Sequence, residues 1–440
     1  MDRNAVKIVK TLRAHKFQAY LVGGCVRDIL LGIEPEDWDI ATDAKPEQII
    51  KLFPRTIPVG ARFGVVIVRM GKKNYEVATF RKDLGYEDGR HPDKVVFSSP
   101  EEDARRRDFT INGMFYDPLR KKVLDFVGGK RDLNAGIIRA IGEPEERFKE
   151  DKLRMLRAVR FSARFGFPIE KNTGSAIKKH CAEIMEVSKE RVRDELIYIF
   201  TQKNPAQGLM LMDELGLLKE ILPEVSAMKG VPQPPEFHPE GDVFNHTVLM
   251  LKLMKKPSPE LAFGVLLHDI GKPKTFRIAD RIRFDNHTSV GAEMAENILK
   301  RLRFSRKQLQ TITALVKEHL KFIDVPRMKQ STLKRFMSIP DFELHLELHR
   351  LDCLGSHKDL STYHFVKKEF RKFQSELKKV RAKPKRLITG DDLISIGLSP
   401  GPIFKKILTR VEDAQLEGKI KTKEEAIEMA KKQAQIFQVD

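Results

Sequence analysis

Cysteine is scarce in this 440-residue chain: Cys25, Cys181 and Cys353 are its only three, far apart and in no paired spacing. Their scarcity excludes a disulfide framework and a thiolate zinc site, and implies a reducing, cytoplasmic setting. Long apolar runs are also missing, since no stretch approaches the roughly 18 residues of a helical membrane span. The N-terminus, MDRNAVKIVKTLRAHKF, reads as an amphipathic helix without the apolar core of a signal peptide. The sequence has no internal repeat and no low-complexity tract. Negative charge is in deficit, with 62 acidic residues against 81 Lys and Arg, a formal charge of +19. That balance points to a polyanionic partner, nucleic acid first and a membrane surface second.

At this length one core normally stops growing and the chain divides. Residues 1–140 mix short β-branched runs (FGVVIVRM, YEVATF, KVVFSS) with glycine turns, as expected of an α/β domain. Residues 141–227 carry apolar positions at three- and four-residue spacing, as in KLRMLRAVRFSARFGF, and are expected to be all-helical. A proline-rich entry, MKGVPQPPEFHPEGD, opens a further helical region over 228–377, and the basic stretch KKVRAKPKR leads into a small unit over 378–440.

The stretch LVGGCVRDILLG, residues 21–32, reads as a strand, a turn built on Gly23 and Gly24, and a helix. Two glycines allow close backbone approach to an anion, and free N–H groups at a helix start favour phosphate, with Arg27 one turn in as a charged donor. In DWDIAT, Asp37 and Asp39 are expected on one face of a strand with Trp38 on the other. Such a pair can hold two hard cations that activate a hydroxyl and clamp a leaving pyrophosphate. Glu76 in NYEVATF, an acid on another expected strand, is the candidate third metal carboxylate. Arg106, Arg107, Asp108 and Asn112 in RRDFTIN are expected on one helical face, joining triphosphate-binding cations to groups that can contact a ribose.

LVGGCVRD, DWDIAT, RRDFTING, DFVGGKRDL, EDKLRMLRAVRFSARFGF and ERVRDEL, taken in order, resemble the bacterial-type CCA-adding tRNA nucleotidyltransferases and the related bacterial poly(A) polymerases. The likeness is carried by motifs over about residues 15–225 and more loosely to the end; Gly113 departs from it, standing where the family commonly has alanine. It implies an α+β fold: a DNA polymerase β-like nucleotidyltransferase head followed by helical neck, body and tail. It also implies a mobile catalytic loop over residues 80–97. In EDKLR, Asp151 and Arg154 are three apart on an expected helix, one acceptor beside one forked donor. Cytosine and adenine both present an amine next to an unprotonated ring nitrogen, while guanine and uracil reverse the order. The pair therefore suits selection of C and A without a nucleic acid template, as the family is thought to do, with Glu150 holding Arg154 and Arg157 stacking or binding phosphate.

His246, then His268 and Asp269 in LLHDIGK, then His287, His319 and Asp352 follow the ligand order of the HD phosphohydrolase superfamily. That resemblance implies a divalent-metal site, a transition metal among the candidates, with Lys272 as a phosphate contact. Residues 364–386 hold ten Lys or Arg against two Glu, among them Lys378, Lys379, Arg381 and Lys383. With Gly401 in LSPGPIFKKIL, they are candidates for gripping a folded RNA through its phosphates. The expected function is template-independent addition or repair of the 3′ CCA of tRNA from CTP and ATP with Mg²⁺. A-addition alone, poly(A) polymerisation, and an HD phosphohydrolase with a non-catalytic RNA-binding head are the alternatives, as a monomer or a homodimer.

Overall fold

Contacts along the chain divide it into two units, Met1–Ala227 with two short later segments and Met228 onward with the remainder. The computed structural model describes residues 1–58, 63–85, 94–236, 238–255, 257–379 and 386–437. No helix among them is long and apolar enough to cross a membrane.

The first unit begins with the helix Arg3–Ala14, capped by the Asp2 carboxylate accepting from the Asn4 and Ala5 N–H groups and burying Ala5, Ile8, Val9 and Leu12. Among the described residues nine strands follow: β1 (Ala19–Val22), β2 (Asp39–Thr42), β3 (Thr56–Ile57), β4 (Val65–Met70), β5 (Lys73–Thr79), β6 (Arg81–Leu84), β7 (Lys94–Phe97), β8 (Phe115–Asp117) and β9 (Lys122–Leu124). Seven of them form one sheet in the order β3-β4-β5-β2-β1-β8-β9. All its ladders are antiparallel except β2 with β5, which run parallel with Ile40 opposite Val77. Val22, Ala41, Phe80, Ala104 and Phe115 pack into a core beside the sheet centre. The alternation of β5, with Tyr75 and Val77 buried and Glu76 exposed, follows from the two-residue period of a strand covered on one face.

β6 and β7 pair antiparallel as a separate hairpin. The ends of the loop expected over residues 80–97 are therefore regular strand; its centre, residues 86–93, lies outside the described residues.

From Pro144 to Ser226 the unit is helical. The helix Arg154–Phe165 buries Met155, Leu156, Ala158, Val159 and Ala163. Arg154, Arg157, Arg160 and Arg164 recur at three- and four-residue spacing along it, so they form a cationic stripe.

In the second unit, helices Val243–Leu253, Pro259–Leu267, His287–Arg301, Arg306–Glu318 and Phe342–Gly355 carry or flank the histidine motif. A two-stranded hairpin, Arg277–Ile278 with Ile282–Arg283, interrupts the all-helical pattern expected there. Phe322, Phe336, Phe342 and Val366 centre one core, and Leu393, Ile407, Val411 and Ala430 centre another in the C-terminal helices.

Candidate functional sites

β1 ends at Val22, and the chain turns through Gly23 into the helix Gly24–Leu30. Gly23 has φ +74°, and a Cβ there would stand 3.0 Å from an Arg107 guanidinium nitrogen. The backbone hand therefore favours glycine, and a side chain there would also press on the Arg107 guanidinium. β2 runs antiparallel to β1 with Asp39 opposite Val22, which brings the glycine turn beside the acid. A cavity of about 560 Å³ opens here, lined by Gly23, Gly24, Arg27, Asp37, Asp39, Arg107, Asp108, Asn112, Asp151, Arg154 and Arg157. Twelve of the expected residues, Arg106 among them, thus meet in one place.

Local geometry differs from expectation at three points. Asp37 precedes β2, exposed in a bend; the strand starts at Asp39, so the two acids are not a strand pair. Asp108 and Asn112 do not share an α-helix, because the helix Pro100–Arg105 ends before them and only a short 3-10 turn, Thr110–Asn112, follows. They still meet, the Asn112 amide donating to Asp108 at 3.0 Å. Asp151 and Arg154 also belong to separate helices: Asp151 ends Pro144–Glu150 in an extended conformation and Arg154 begins the next. The kink leaves both side chains on the cavity wall.

Asp39 is crowded by like charge. Burial, Glu76 and Asp37 push its carboxyl up to about 6, with Arg107 opposing. Glu76 is exposed on β5, the parallel neighbour of β2, and acts on Asp39 from there without lining the cavity. Three acids and too little counter-charge suit hard divalent cations with oxygen ligands.

The rest of the wall is held rigidly. Arg27 is buried, donating to Asp28 at 2.8 Å and Asn112 at 2.6 Å and lying over the Phe165 ring. Arg157 grips Asp108 through two nitrogens, at 2.9 and 2.5 Å. Burial alone would raise Asp108, but Arg157, Asn112 and Arg154 outweigh it and hold the carboxyl well below the usual range. Glu150 pairs with Arg154 at 2.8 Å. Sequence reasoning missed Arg160, Arg164 and Arg191 on the same wall. The first two could have been found by extending the arginine spacing along one helix. Arg191, which reaches Asp151 at 2.7 Å across 40 residues, left no local signal.

Gly113 has a packing cause: an added Cβ would come within 2.6 Å of Val127 and 3.0 Å of Ile141, which fill the space an alanine methyl would take.

In the second unit, ligand atoms of His246, His268 and Asp352 lie within 4.8 Å of one another, as do those of Asp269, His287 and His319. The Nδ1 atoms of His268, His287 and His319 each sit 2.8 Å from a backbone carbonyl three residues back. A carbonyl can only accept, so each Nδ1 carries a proton, and in the neutral ring Nε2 then presents a lone pair. Nε2 of His268, Nε2 of His287 and Oδ1 of Asp269 are buried with no hydrogen-bond partner. Orphaned lone pairs of this kind, on imidazoles and a carboxylate, fit a divalent transition metal. Lys272 lies 2.7 Å from Asp269 and also donates to Gln233. His238 and Glu240, from the proline-rich entry, join His246 in a third group; reading that stretch as a linker hid them.

Arg381 and Lys383 lie outside the described residues, as do the side chains of Lys378 and Lys379. Gly401 is extended, at φ 178°, immediately before the helix Pro402–Leu416, and a Cβ there would meet nothing within 4 Å. Neither backbone nor packing requires a glycine at that position.

Three family profiles match in order: Poly A polymerase head domain over residues 19–139, "Probable RNA and SrmB- binding site of polymerase A" over 166–229, and HD domain over 243–341. A CCA-adding enzyme from Ligilactobacillus salivarius (strain UCC118) is 44% identical over 218 residues, 49% of this chain and 54% of the relative. Another from Lactobacillus helveticus (strain DPC 4571) is 39% identical over 255 residues, 57% and 63% of the two chains.

The chain resembles the CCA-adding enzymes and poly(A) polymerases. The likeness read from the motifs is borne out, with the matched region spanning about half the length of the curated relatives (54% and 63%). A crystal structure of the Bacillus stearothermophilus CCA-adding enzyme in complex with CTP superposes with a TM-score of 0.76 at 26% identity, covering 100% of both chains. A Thermotoga maritima CCA-adding enzyme complexed with tRNA, at 21% identity and a TM-score of 0.59 over 98% and 95% of the chains, shares the fold. The α+β head with helical regions after it is thus the family's architecture.

Proposed function

We propose that this chain is a template-independent nucleotidyltransferase that adds or repairs the 3′-terminal CCA of tRNA from CTP and ATP. The observation carrying this reading is the single cavity that joins Asp37 and Asp39 to the glycine turn, the arginine stripe and the Asp151/Arg154 pair. The solved and curated CCA-adding relatives support it. Asp37 and Asp39, with Glu76 beside them, would hold divalent cations, Mg²⁺ in our reading, which when bound activate the tRNA 3′-hydroxyl and neutralise the leaving pyrophosphate. The backbone at Gly23 and Gly24, with Arg27 and Arg107, holds the triphosphate. Asp108 and Asn112 take the ribose; their mutual hydrogen bond and the Arg157 clamp prevent either from turning away. Asp151 accepts from the base amine and Arg154 donates to the ring nitrogen, its guanidinium aimed by Glu150. Lys378, Lys379, Arg381, Lys383 and Gly401 form an RNA-binding tail, and the four-region division at 140, 227 and 377 remains our reading of the domains.

The test is incubation with tRNA lacking CCA, lacking only A, or complete, with each nucleotide alone. Addition of C, C and then A to the first substrate is expected. A added only to CC-ended tRNA would reduce the activity to A-addition, and repeated A on any RNA would make it a poly(A) polymerase.

A second reading is favoured by the orphaned imidazole nitrogens. We infer that His246, His268, Asp269, His287, His319 and Asp352 hold a divalent transition metal for hydrolysis of phosphoesters such as 2′,3′-cyclic phosphates, with Lys272 toward the phosphate.

A further inference from the structure

His268, His287 and His319 share one device: each donates Nδ1–H to the carbonyl three residues back, Val265, Phe284 and Val316, which turns Nε2 toward Asp269 as the lone-pair atom of the neutral ring. His246 departs from it. Its corresponding carbonyl, that of Val243, is taken by the Thr247 hydroxyl at 3.0 Å. His246 Nδ1 turns instead to the Glu240 carboxylate at 2.6 Å, while its Nε2 faces Asp352 at 3.1 Å, inside the ligand group completed by His268.

Glu240 is built into this position. Its side chain is 9% exposed, and the oxygen that meets His246 also meets His238 Nδ1 at 2.8 Å. Its other carboxylate oxygen is buried with no hydrogen-bond partner. A glutamate in a proline-rich entry segment has no reason from surface solvation to be so enclosed.

We propose that Glu240 is a positioning residue for the metal site of the second unit. It accepts the Nδ1–H of His246 in place of the missing backbone carbonyl and thereby fixes Nε2 as the ligand atom. The proposal rests on reading the histidine cluster as a metal site. A carboxylate is a stronger acceptor than a carbonyl, so it orients the ring and also raises the basicity of Nε2 toward a cation. Loss of such outer partners typically costs about 10–100-fold in metal affinity.

The probe is Co²⁺, titrated into the full-length protein and followed by visible absorption and by chelator competition. The component of interest is the one that disappears in the double variant His268→Ala with Asp269→Ala. Glu240→Ala should weaken that component about 10–100-fold, and Glu240→Gln, whose amide oxygen still accepts, should restore it to within about threefold of wild type. Metal-free melting temperatures should match between the two Glu240 variants, which separates ligand orientation from a merely structural anchor. Wild-type affinity in Glu240→Ala, or equal loss in Glu240→Gln, overturns the proposal while leaving the metal site standing. A wild type with no Co²⁺ component beyond that of the double variant overturns both.

Discussion

Replacing Asp39 by asparagine keeps the side-chain shape and removes the charge that its surroundings oppose. Burial, Glu76 and Asp37 lift this carboxyl from 3.8 to about 6. The metal-free fold therefore holds the proton more tightly than the unfolded chain does. With a raised carboxyl pKa, stability is greatest while the group is protonated in both states and declines as pH rises from about 4 to about 6. Above that, the full cost of the buried ionised carboxylate is present. A shift of roughly two pKa units corresponds to about 3 kcal/mol. In EDTA, Asp39→Asn should stabilise the transition that includes the head by up to about 3 kcal/mol at pH 7, shrinking toward zero near pH 4. Urea unfolding at several pH values measures this. Mg²⁺ should then stabilise the wild type and leave the variant unmoved, because the cation binds the fold through the charge that the variant lacks. A variant no more stable than wild type at pH 7, or a difference independent of pH, would refute the reasoning.

Asp39→Ala should abolish nucleotide addition while filter binding shows tRNA affinity nearly intact; addition above a few per cent of the wild-type rate, at most about 5%, removes Asp39 from the metal site. Arg154→Ala should relax the preference for C and A over U and G in single-nucleotide addition, and unchanged discrimination in a folded variant counts against side-chain base reading. The affinity for tRNA should fall steeply with salt as several phosphates are neutralised; a flat dependence contradicts a basic RNA track. Gly113→Ala should cost about 1–3 kcal/mol by overpacking against Val127, as read by thermal unfolding, and Val127→Ala in the same chain should recover part of it.

Much of the head could be read from residue order because its chemistry is local. Two glycines, an arginine one turn on and acids in DWD spell out a candidate anion turn and a candidate cation site within 19 residues, from 21 to 39. The candidate HD ligands were legible for another reason: few side chains bind metals, and their order survives whatever separates them. Helix boundaries were less legible. EDKLR has the spacing of a continuous helix, yet the chain breaks at Asp151, whose carboxylate is drawn to Arg191 and to the Leu153 N–H. A distant ion pair there outweighs local propensity.

The residues themselves pointed to an α+β head with helical regions after it, to a polyanionic partner, and to the side chains we propose carry the chemistry. Those follow from periodicity, charge and the scarcity of groups able to do such work. Only the tertiary structure decided how the groups are aimed. The crowding that lifts Asp39 needs β5 beside β2, and the Asp108 clamp needs Arg157 from a helix 49 residues on. Glu240 takes its place beside His246 because Thr247 has already claimed the Val243 carbonyl. Each of these is a competition among hydrogen-bonding and charged groups for a few close positions, and the winner depends on distances that no sequence spacing states.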